Sequence, residues 1–460
     1  MSSITDSGVD AGLTGIQDGL APPFSDPEPG SITGPLAWWS RLSITSAPGD
    51  FARFWAGQSI SQVGTQFTAV ALPLLAALTL GASPVAVGIL AAASGLPHLL
   101  FGLLAGAWID RLRRRPVMIA ADAIRAGLLL VIPVAAWFDG LSIELLIVVA
   151  FAAESLTVFF DVAYLAYVPT LVGRRDLVAA NSRLEAAASG ARVVGPALAG
   201  GLVRWLGAPL ALVIDALSYL GSAFFLWRIR TPEPPPHREN AQSTVADDIQ
   251  EGLRTVWRAP VLRALALSSS MVNLAGYLFL SIYVLYLTRS LGLGAEAVGL
   301  VFAAGGVGAL AGSVIAGPAR IRWGVGSVLI GSQVLFGVTG MLVPVAVLFP
   351  QYALPLIIGA EFLQWVMVLV YDINAVSLRQ AVTPDRILGR VNGTMRFLIW
   401  GSRPLGSLAG GYLGSRIGLP ETLAVGAFGM LVAFLPLLAS PIPRLRTTHE
   451  LSADIDRASG

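Results

Sequence analysis

The sequence has 460 residues, of which 55% are hydrophobic and 13% are charged, whereas soluble domains carry about 25% charged residues. All 30 basic residues are arginines and cysteine is absent, which excludes a catalytic lysine, a Lys-dependent nucleotide-binding loop, disulfides and thiolate metal sites. The net charge of +2 makes nucleic acid an unattractive partner.

Long apolar stretches predict twelve membrane-crossing helices, because a bilayer core takes about 20 apolar residues per crossing. The predicted helices are residues 54–79, 84–108, 116–137, 143–169, 181–206, 209–228, 261–288, 295–317, 325–348, 352–379, 388–414 and 420–440. Residues 1–50 lack the pattern of a signal peptide and are predicted to form a flexible tail, as are residues 441–460. The polar stretch 229–259 is predicted to link two halves and to carry an amphipathic helix around Asp247–Arg258.

Arginines are concentrated in every second connection between the predicted helices. The arginine-rich connections contain Arg111, Arg113, Arg114 and Arg115; Arg174, Arg175 and Arg183; Arg228, Arg230, Arg238, Arg254, Arg258 and Arg263; Arg320 and Arg322; and Arg379, Arg386 and Arg390. The alternate connections hold only Arg204, Arg289 and Arg416. Since positive loops stay in the cytoplasm, we expect a multi-pass protein of the inner or plasma membrane with both termini cytoplasmic.

The two predicted halves, residues 51–228 and 260–440, repeat each other at an offset of 211 residues. The matching pairs are Gly81 and Gly292, Gly88 and Gly299, Gly106 and Gly317, Arg111 and Arg322, Asp161 and Asp372, Asn181 and Asn392, Arg192 and Arg403, Gly195 and Gly406, and Pro209 and Pro420. Matches of Asp, Asn, Arg and Pro at one offset without gaps are unexpected by chance. A parallel repeat of this kind predicts pseudo-twofold symmetry about the membrane normal, with the solute path between the halves.

Two segments carry a resemblance to a known family. Gly102–Arg115 resembles the loop signature of the major facilitator superfamily, a Gly followed by Asp-Arg and then a basic pair. The matching residues are Gly106, Asp110, Arg111, Arg114 and Arg115, whereas Arg113 stands where the family often has Gly. Arg192–Gly201 resembles the Gly-Pro signature of the family's exporters, with one extra residue before the final Gly pair.

Within that superfamily, the stretch from Asp110 to Arg125 is similar to the branch of the enterobactin exporter and macrolide efflux proteins. The resemblance covers about residues 51–440. It implies an all-α membrane protein with the major facilitator fold, in which twelve transmembrane helices form two six-helix halves.

The resemblance also implies a latch on the cytoplasmic side, since the second helix of this family faces the eleventh and the fifth faces the eighth. Acidic residues on the second and fifth helices would then meet arginines on the eleventh and eighth. The predicted pairs are Asp110 with Arg390 or Arg396, and Glu185 with Arg320 or Arg322. Glu185 and Arg396 are repeat partners of opposite charge. The alternative is that the loop arginines only retain the loop in the cytoplasm.

The first, fourth, seventh and tenth helices line the solute path in this family, and each carries polar residues here. The substrate-cavity candidates are Gln58, Gln62, Gln66, Asn273 and Tyr277, and the proton-coupling candidates are Glu154, Asp161, Glu361 and Asp372. Ionisable residues inside a membrane indicate function or pairing. Two alternatives remain: interhelical hydrogen bonds without a substrate, or Asp161 and Asp372 at the cytoplasmic rim, pairing only with arginines.

Arg192 and Arg403, on the fifth and eleventh helices, need carboxylate partners if they are buried. We expect Asp161 and Asp372 to pair with them, with direct substrate contact as the alternative. A carboxylate that loses such a partner in a low-dielectric cavity could titrate near neutral pH. Glu154 and Glu361 have no Arg nearby in sequence and are the better coupling candidates.

The remaining polar residues predicted inside the membrane give weaker signals. His98 could titrate, although a single histidine on an apolar helix is more often part of the packing. Asp122 and Arg125 are one turn apart and are predicted to pair. Asp215 is predicted to pair with Arg204.

These features predict a monomeric transporter that exports small amphipathic organic compounds of the drug, macrolide or siderophore type, coupled to protons. An importer, a lipid transporter on the same fold and a non-transporting membrane sensor are the alternatives. An enzyme is disfavoured, because only His98, His237 and His449 are present and no metal cluster, cofactor motif or catalytic triad is evident. The acidic residues and glutamines expected in the cavity favour a cationic or neutral substrate.

Overall fold

The computed structural model describes residues 49–109, 111–173, 176–233 and 245–445, and these residues form helices without any strand. Before the linker, the helices are α1 (Gly49–Leu74), α2 (Pro84–Ile109), α3 (Arg114–Trp137), α4 (Ile143–Val172), α5 (Leu177–Leu206) and α6 (Ala208–Arg228). From the linker onward they are α7 (Val245–Arg258), α8 (Pro260–Leu285), α9 (Ala295–Trp323), α10 (Val325–Val345), α11 (Ala353–Val382), α12 (Asp385–Arg416), α13 (Leu419–Val432) and α14 (Leu435–Leu438).

Eleven helices in the described ranges are long and apolar enough to cross a membrane. The chain is therefore a multi-pass membrane protein. The eleventh predicted crossing falls on α12, which has 32 residues but is not among those eleven, since arginines recur along it. The last predicted crossing is divided between α13 and α14, and Pro436 stands at the start of α14, where a missing N–H costs no helical hydrogen bond.

Two helices end in the same unusual way. α1 continues as a π-helical turn over Leu75–Thr79, and α8 continues as one over Tyr286–Ser290. Gly81 and Gly292 follow these turns with φ angles of 58° and 67°, in the left-handed region that glycine adopts without steric cost. These two glycines are repeat partners, so the 211-residue offset extends to the backbone conformation.

The helices before and after the linker pack mainly among themselves. α1 packs on α5 and α6, and α4 packs on α2 and α3; after the linker, α11 packs on α9 and α10, and α8 packs on α12 and α13. Extensive contacts between the two groups are made by α2 with α12 and by α5 with α9. The pairings α2 with α12 and α5 with α9 agree with the helix neighbours that the family resemblance implied.

Glycines bring the two groups into backbone contact at one end of the bundle. A Cβ on Gly88 would lie 2.7 Å from the Cα of Gly411, and a Cβ on Gly200 would lie 2.8 Å from the Cα of Gly299. Gly88 is the repeat partner of Gly299, and Gly200 is the repeat partner of Gly411. Small residues of this kind allow helices to approach closely in membranes.

The buried apolar residues form one shared cluster and separate clusters. The shared cluster joins residues from both groups, such as Leu74 and Val203 with Leu285 and Val298. A second cluster around Phe54 and Tyr167 belongs only to the helices before the linker and the residue directly after them. A third, around Leu262 and Leu378, belongs only to the linker helix and the helices C-terminal to it. The bundle is thus joined at one end and divided at the other.

Candidate functional site

A cavity of about 1150 Å³ lies between the two groups of helices. Its walls are formed by α1, α2 and α5 on one side and by α8 to α13 on the other. Three of the five substrate-cavity candidates, Gln66, Asn273 and Tyr277, line it. The cavity is therefore built mostly from the second group of helices, and α4 does not line it.

The other two glutamines of the predicted stripe do not line the cavity. Gln58 is buried and donates a hydrogen bond of 3.2 Å to the hydroxyl of Ser222 on α6. Gln62 is partly buried. α1 packs between α5 and α6, so a stripe along one of its faces is divided between a helix contact and the cavity.

Glu361 on α11 is a buried carboxylate that lines the cavity. Tyr283 donates to its Oε2 at 3.0 Å and the Trp365 indole donates to its Oε1 at 2.9 Å. A Cβ on Gly305 would lie 3.2 Å from Oε1, so a glycine is needed to admit this cluster. Both oxygens of Glu361 accept from neutral donors, which agrees with the absence of a nearby arginine in the sequence.

Arginines outnumber carboxylates on the cavity wall. The charged residues that line it are Arg192, Arg379, Arg396 and Arg403, with Glu361 and Asp372. Arg379 was not among the sequence candidates, although it lies seven residues after Asp372, about two turns along one face of α11. The sequence candidates Glu361, Asp372 and Gln66 line this cavity, and arginines of α5, α11 and α12 line it as well.

Two of these arginines stack on one tryptophan of α12. The guanidinium carbons of Arg396 and Arg403 lie 4.2 and 4.6 Å from the Trp400 ring centre. Arg403 also lies over Tyr277 at 5.0 Å, and its Nε donates to Asn273 Oδ1 at 3.1 Å. Trp400 was not a sequence candidate, but its spacing of four and three residues from the two arginines places all three on one helix face.

The expected pairs of Arg192 with Asp161 and of Arg403 with Asp372 are not formed. Arg192 instead pairs with Glu185, which lies seven residues earlier on the same helix. Among the described residues, Arg403 forms no ion pair. The ion-pair partner of Arg192 lies on the same helix, and two aromatic rings stack on Arg403.

Glu154 on α4 lies next to a histidine. Glu154 Oε1 is 3.7 Å from His98 Nδ1 on α2, and the His98 ring meets Trp400 edge-on with 5.0 Å between centres. His98 is thus positioned between a carboxylate of the first group of helices and the arginine-bearing face of α12. Asp161, two turns further along α4, is exposed.

A buried polar network lies within the first group of helices. The predicted pair of Asp122 with Arg125 is confirmed, with both side chains almost fully buried. The predicted pair of Asp215 with Arg204 is wrong. Asp215 accepts hydrogen bonds from Thr68 on α1 and from Ser218 on its own helix α6. The face of α6 that carries Asp215 packs on α1.

Arg204 instead forms an ion pair with Glu296 at the start of α9. Close by, Arg289 reaches from the second group of helices to the carbonyls of Ala77 and Ala82, at 3.3 and 2.8 Å. These contacts lie at the end of the bundle where the glycines meet. Arg204 and Arg289 are two of the three arginines in the arginine-poor connections, so they have a structural use there.

At the opposite end of the bundle, the predicted latch pair of Glu185 with Arg320 or Arg322 is not formed. Asp110 lies outside the described residues, and Glu185 is engaged by Arg192 rather than by Arg320 or Arg322. Arg390 pairs with Glu251 of the linker helix α7.

The basic pair of the loop signature has a separate use. Glu233 accepts hydrogen bonds from the backbone N–H groups of Arg114 and Arg115 at the start of α3, and the Arg115 side chain donates to the carbonyls of Leu226 and Trp227. Arg115 thus ties the start of α3 to the end of α6.

The family-model and sequence comparisons agree on the kind of protein that this chain resembles. The family model described as "Transmembrane secretion effector" matches residues 43–457. The multidrug efflux pump Tap of Mycolicibacterium fortuitum is 30% identical over 407 residues, which cover 86% of this chain and 95% of that protein. Macrolide efflux protein A of Streptococcus pyogenes is 24% identical over 221 residues, which cover 48% of this chain and 54% of that protein.

Solved structures share the fold. A bacterial homologue of the iron transporter ferroportin in an inward-facing state has a TM-score of 0.69 at 19% sequence identity, covering 86% of this chain and 99% of that one. The nucleoside transporter NupG has a TM-score of 0.66 at 12% identity, covering 85% and 99% of the two chains.

Proposed function

Because the chain belongs to the transmembrane secretion effector family of the major facilitator superfamily, and is therefore a membrane transporter rather than an enzyme, we propose that it exports small amphipathic organic compounds by proton antiport. The curated relatives that carry the words "multidrug efflux" and "macrolide efflux" support the direction and the substrate class. The cavity between the two groups of helices is the observation that carries the proposal.

The proposed architecture is twelve crossings in two six-helix halves, residues 51–228 and 260–440, with α12 as the remaining crossing. The 211-residue repeat supports it, as do the repeat-related contacts of Gly88 with Gly411 and Gly200 with Gly299. With both termini in the cytoplasm, as the arginine distribution favours, the glycine contacts lie at the outer end. The divided end of the bundle then faces the cytoplasm.

Alternating access follows as a rocking of the two halves about the cavity. In the conformation of this structure, the glycine contacts and the Arg204–Glu296 pair hold the outer end closed. In the opposite state the latch of Asp110, Glu185 and their arginine partners would close the cytoplasmic end. Glu185 would then exchange Arg192 for Arg320 or Arg322.

Proton coupling is assigned to Glu154 and Glu361, with Asp161 and Asp372 as secondary candidates. Glu361 is buried in the cavity wall and accepts hydrogen bonds from Tyr283 and Trp365. Glu154 lies next to His98, the side-chain type that changes charge nearest neutral pH. Protonation of either carboxylate removes a charge that the low-dielectric interior disfavours, and this links proton uptake to the state of the cavity.

The test is efflux from cells that lack their own pumps, challenged with a panel of amphipathic antibiotics and dyes. Wild-type protein should raise resistance to a subset of the panel and lower the accumulation of those compounds. Glu154→Gln and Glu361→Gln should each abolish most of this effect at equal expression, because both keep the shape and remove the proton-binding group.

Glu144→Gln is the matched control, since Glu144 is an exposed carboxylate in the first turn of α4 and should leave efflux unchanged. No change in accumulation for any compound, at normal expression, would contradict export. Increased accumulation would favour an importer on the same fold.

A further inference from the structure

The cavity wall carries an excess of positive charge. Four arginines and two carboxyl groups line it, and Glu361 already accepts two hydrogen bonds from neutral donors. Only Arg192 of the four has a carboxylate partner, Glu185, among the described residues. A cavity with this balance is not suited to a cation.

The excess is concentrated at Arg396 and Arg403 on α12. Both guanidinium groups stack on Trp400, at 4.2 and 4.6 Å from the ring centre. No Asp or Glu oxygen in the described part of the chain lies within 4.0 Å of either group. Asp161 acts on Arg396, and Asp372 acts on Arg403, from beyond ion-pair distance. Two like charges on one indole, without a carboxylate in direct contact, form an incomplete ionic site.

The hydrogen-bonding capacity of this pair is also largely unused. The Nε–H of Arg403 donates to Asn273 Oδ1. No described residue accepts a hydrogen bond from the terminal nitrogens of Arg403 or from any nitrogen of Arg396. A guanidinium presents five N–H groups in a planar fork that matches a carboxylate, sulfonate or phosphate. The free donors and the open cavity therefore point to an oxyanion.

The rest of the wall offers apolar surface away from these arginines. Phe302, Phe336 and Met430 line the cavity together with Trp365. The Glu361 carboxylate lies beside Trp365 and would repel an anion placed next to it. An amphipathic anion would thus have one favoured orientation, with its charged group at α12 and its apolar body toward α9, α10 and α13.

We propose that the cavity binds organic anions with an apolar body, and that Arg396 and Arg403 bind the anionic group. The inference rests on the proposed export function and narrows its substrate class. Trp400 holds the two guanidinium groups in place by stacking. The closest alternative is a cationic amphiphile bound at Glu361 and Asp372.

The experiment compares two fluorescent dyes that share a xanthene ring system, anionic fluorescein and cationic rhodamine 123. Each is titrated with the full-length protein in nanodiscs of uncharged lipid, and binding is followed by fluorescence anisotropy against empty nanodiscs. We expect fluorescein to bind at least about tenfold more tightly than rhodamine 123. Arg396→Gln and Arg403→Gln should each weaken fluorescein binding about tenfold or more, because each removes charge-assisted hydrogen bonds.

Arg416→Gln is the matched control. Arg416 lies at the end of the same helix, stacks on Tyr412 and does not line the cavity, so fluorescein binding should be unchanged. Arg396→Lys and Arg403→Lys keep the charge without the fork and should fall between wild type and the Gln variants. The Arg396 side chain is exposed and lines the cavity. If Arg403→Gln does not fold, Arg396→Gln is therefore the variant that tests the proposal.

Equal affinity for the two dyes, tighter binding of rhodamine 123, or fluorescein binding that survives both Gln substitutions would overturn the inference. No fluorescein binding above empty nanodiscs would do so as well. If one of these results is found but the protein still exports antibiotics or dyes from cells, the proposed export function stands without the anion site. Conversely, tight Arg-dependent fluorescein binding without efflux of any compound would contradict the export function and retain the anion site.

Discussion

Arg125 is a charged side chain buried within the first group of helices. Its guanidinium carbon lies 4.5 Å from the Phe160 ring centre and 4.3 Å from the Tyr219 ring centre, and its ion-pair partner Asp122 is fully buried. Thr157 accepts one further hydrogen bond from it. The site does not line the cavity, so its role is to join α3, α4 and α6.

Asp122→Asn is expected to destabilise the protein by about 3–5 kcal/mol, because it leaves a buried guanidinium without its counter-ion. The measurement is the thermal unfolding midpoint in detergent. The double variant Asp122→Leu with Arg125→Met should recover most of the loss. Glu185→Gln is the control, because the pair of Glu185 with Arg192 is exposed and exposed pairs contribute about 0–1 kcal/mol. An unfolding midpoint that Asp122→Asn leaves unchanged would contradict this account.

Residue spacing was informative only where both partners lie on one helix. The pair of Asp122 with Arg125 was predicted from its three-residue spacing and is confirmed. Asp215 was paired with Arg204 because it was predicted near the outer end of its helix. Arg204 instead meets Glu296 across a helix interface, and Asp215 accepts from Thr68 on α1 and from Ser218 on its own helix. Trp365 and Tyr283 escaped prediction because aromatic residues on apolar helices carry no periodic signal that separates cavity wall from packing. Trp400 did carry a signal, its spacing from Arg396 and Arg403.

At the scale of elements, the closeness of α5 and α9 depends on glycine. A Cβ on Gly299 would lie 2.5 Å from the Pro196 carbonyl oxygen and 2.8 Å from the Gly200 Cα. Backbone atoms cannot yield to such a contact as a flexible side chain can. The two helices would have to separate.

Gly299→Ala is therefore expected to open the outer end of the bundle. The natural absence of cysteine allows Val87→Cys, a cavity-lining position beside Gly88, to serve as the single label site. A membrane-impermeant maleimide added outside intact cells should label it several-fold faster in the Gly299→Ala background. Gly102→Ala is the control, since nothing lies within 4 Å of that Cβ, and it should leave the labelling rate as in the parent. Equal rates in all three proteins would contradict the glycine closure.

The ion pair of Arg204 with Glu296 joins the same two helices but is a weaker element. The two side chains are 60% and 46% exposed, and such pairs are worth about 0.2–1 kcal/mol. Glu296→Gln should therefore raise the labelling of the same cysteine by no more than about fivefold. Glu144 is an exposed carboxylate on the same side of the membrane in the proposed topology. Glu144→Gln should leave the labelling rate unchanged. If Glu296→Gln raised the labelling rate more than Gly299→Ala does, the ion pair would be more important for closing this end than the glycine contact.

At the scale of the whole molecule, the arginine distribution sets the proposed orientation. Green fluorescent protein fused to the C-terminus should fluoresce, because it folds in the cytoplasm, and alkaline phosphatase at the same position should be inactive. The two reporters serve as controls for each other. Active phosphatase with a dark fluorescent protein would reverse the topology and exchange the outer and cytoplasmic ends.

The balance between the two access states provides a second whole-molecule prediction. If Asp110 helps to close the cytoplasmic end in the opposite state, Asp110→Asn should favour the state of this structure, in which Glu185 pairs with Arg192 rather than with Arg320 or Arg322. Arg320→Cys, at the proposed cytoplasmic end of α9, should then react faster with maleimide in inside-out vesicles. Glu421→Gln, at the start of α13, is the control and should change nothing. Unchanged labelling in the Asp110 variant would remove Asp110 from the latch.

The sequence by itself determined the class of this protein. Apolar stretches of bilayer length, the 211-residue repeat and the Gly102–Arg115 signature are local or periodic, and the helices and the α2–α12 and α5–α9 contacts agree with them. Only the tertiary structure decided which polar residues share the cavity. Gln58 and Gln66 lie two turns apart on one helix, yet one meets Ser222 and the other the cavity, because the neighbouring helices determine what each turn contacts. The charge of the cavity was decided in the same way, by arginines that the fold brings together from α5, α11 and α12.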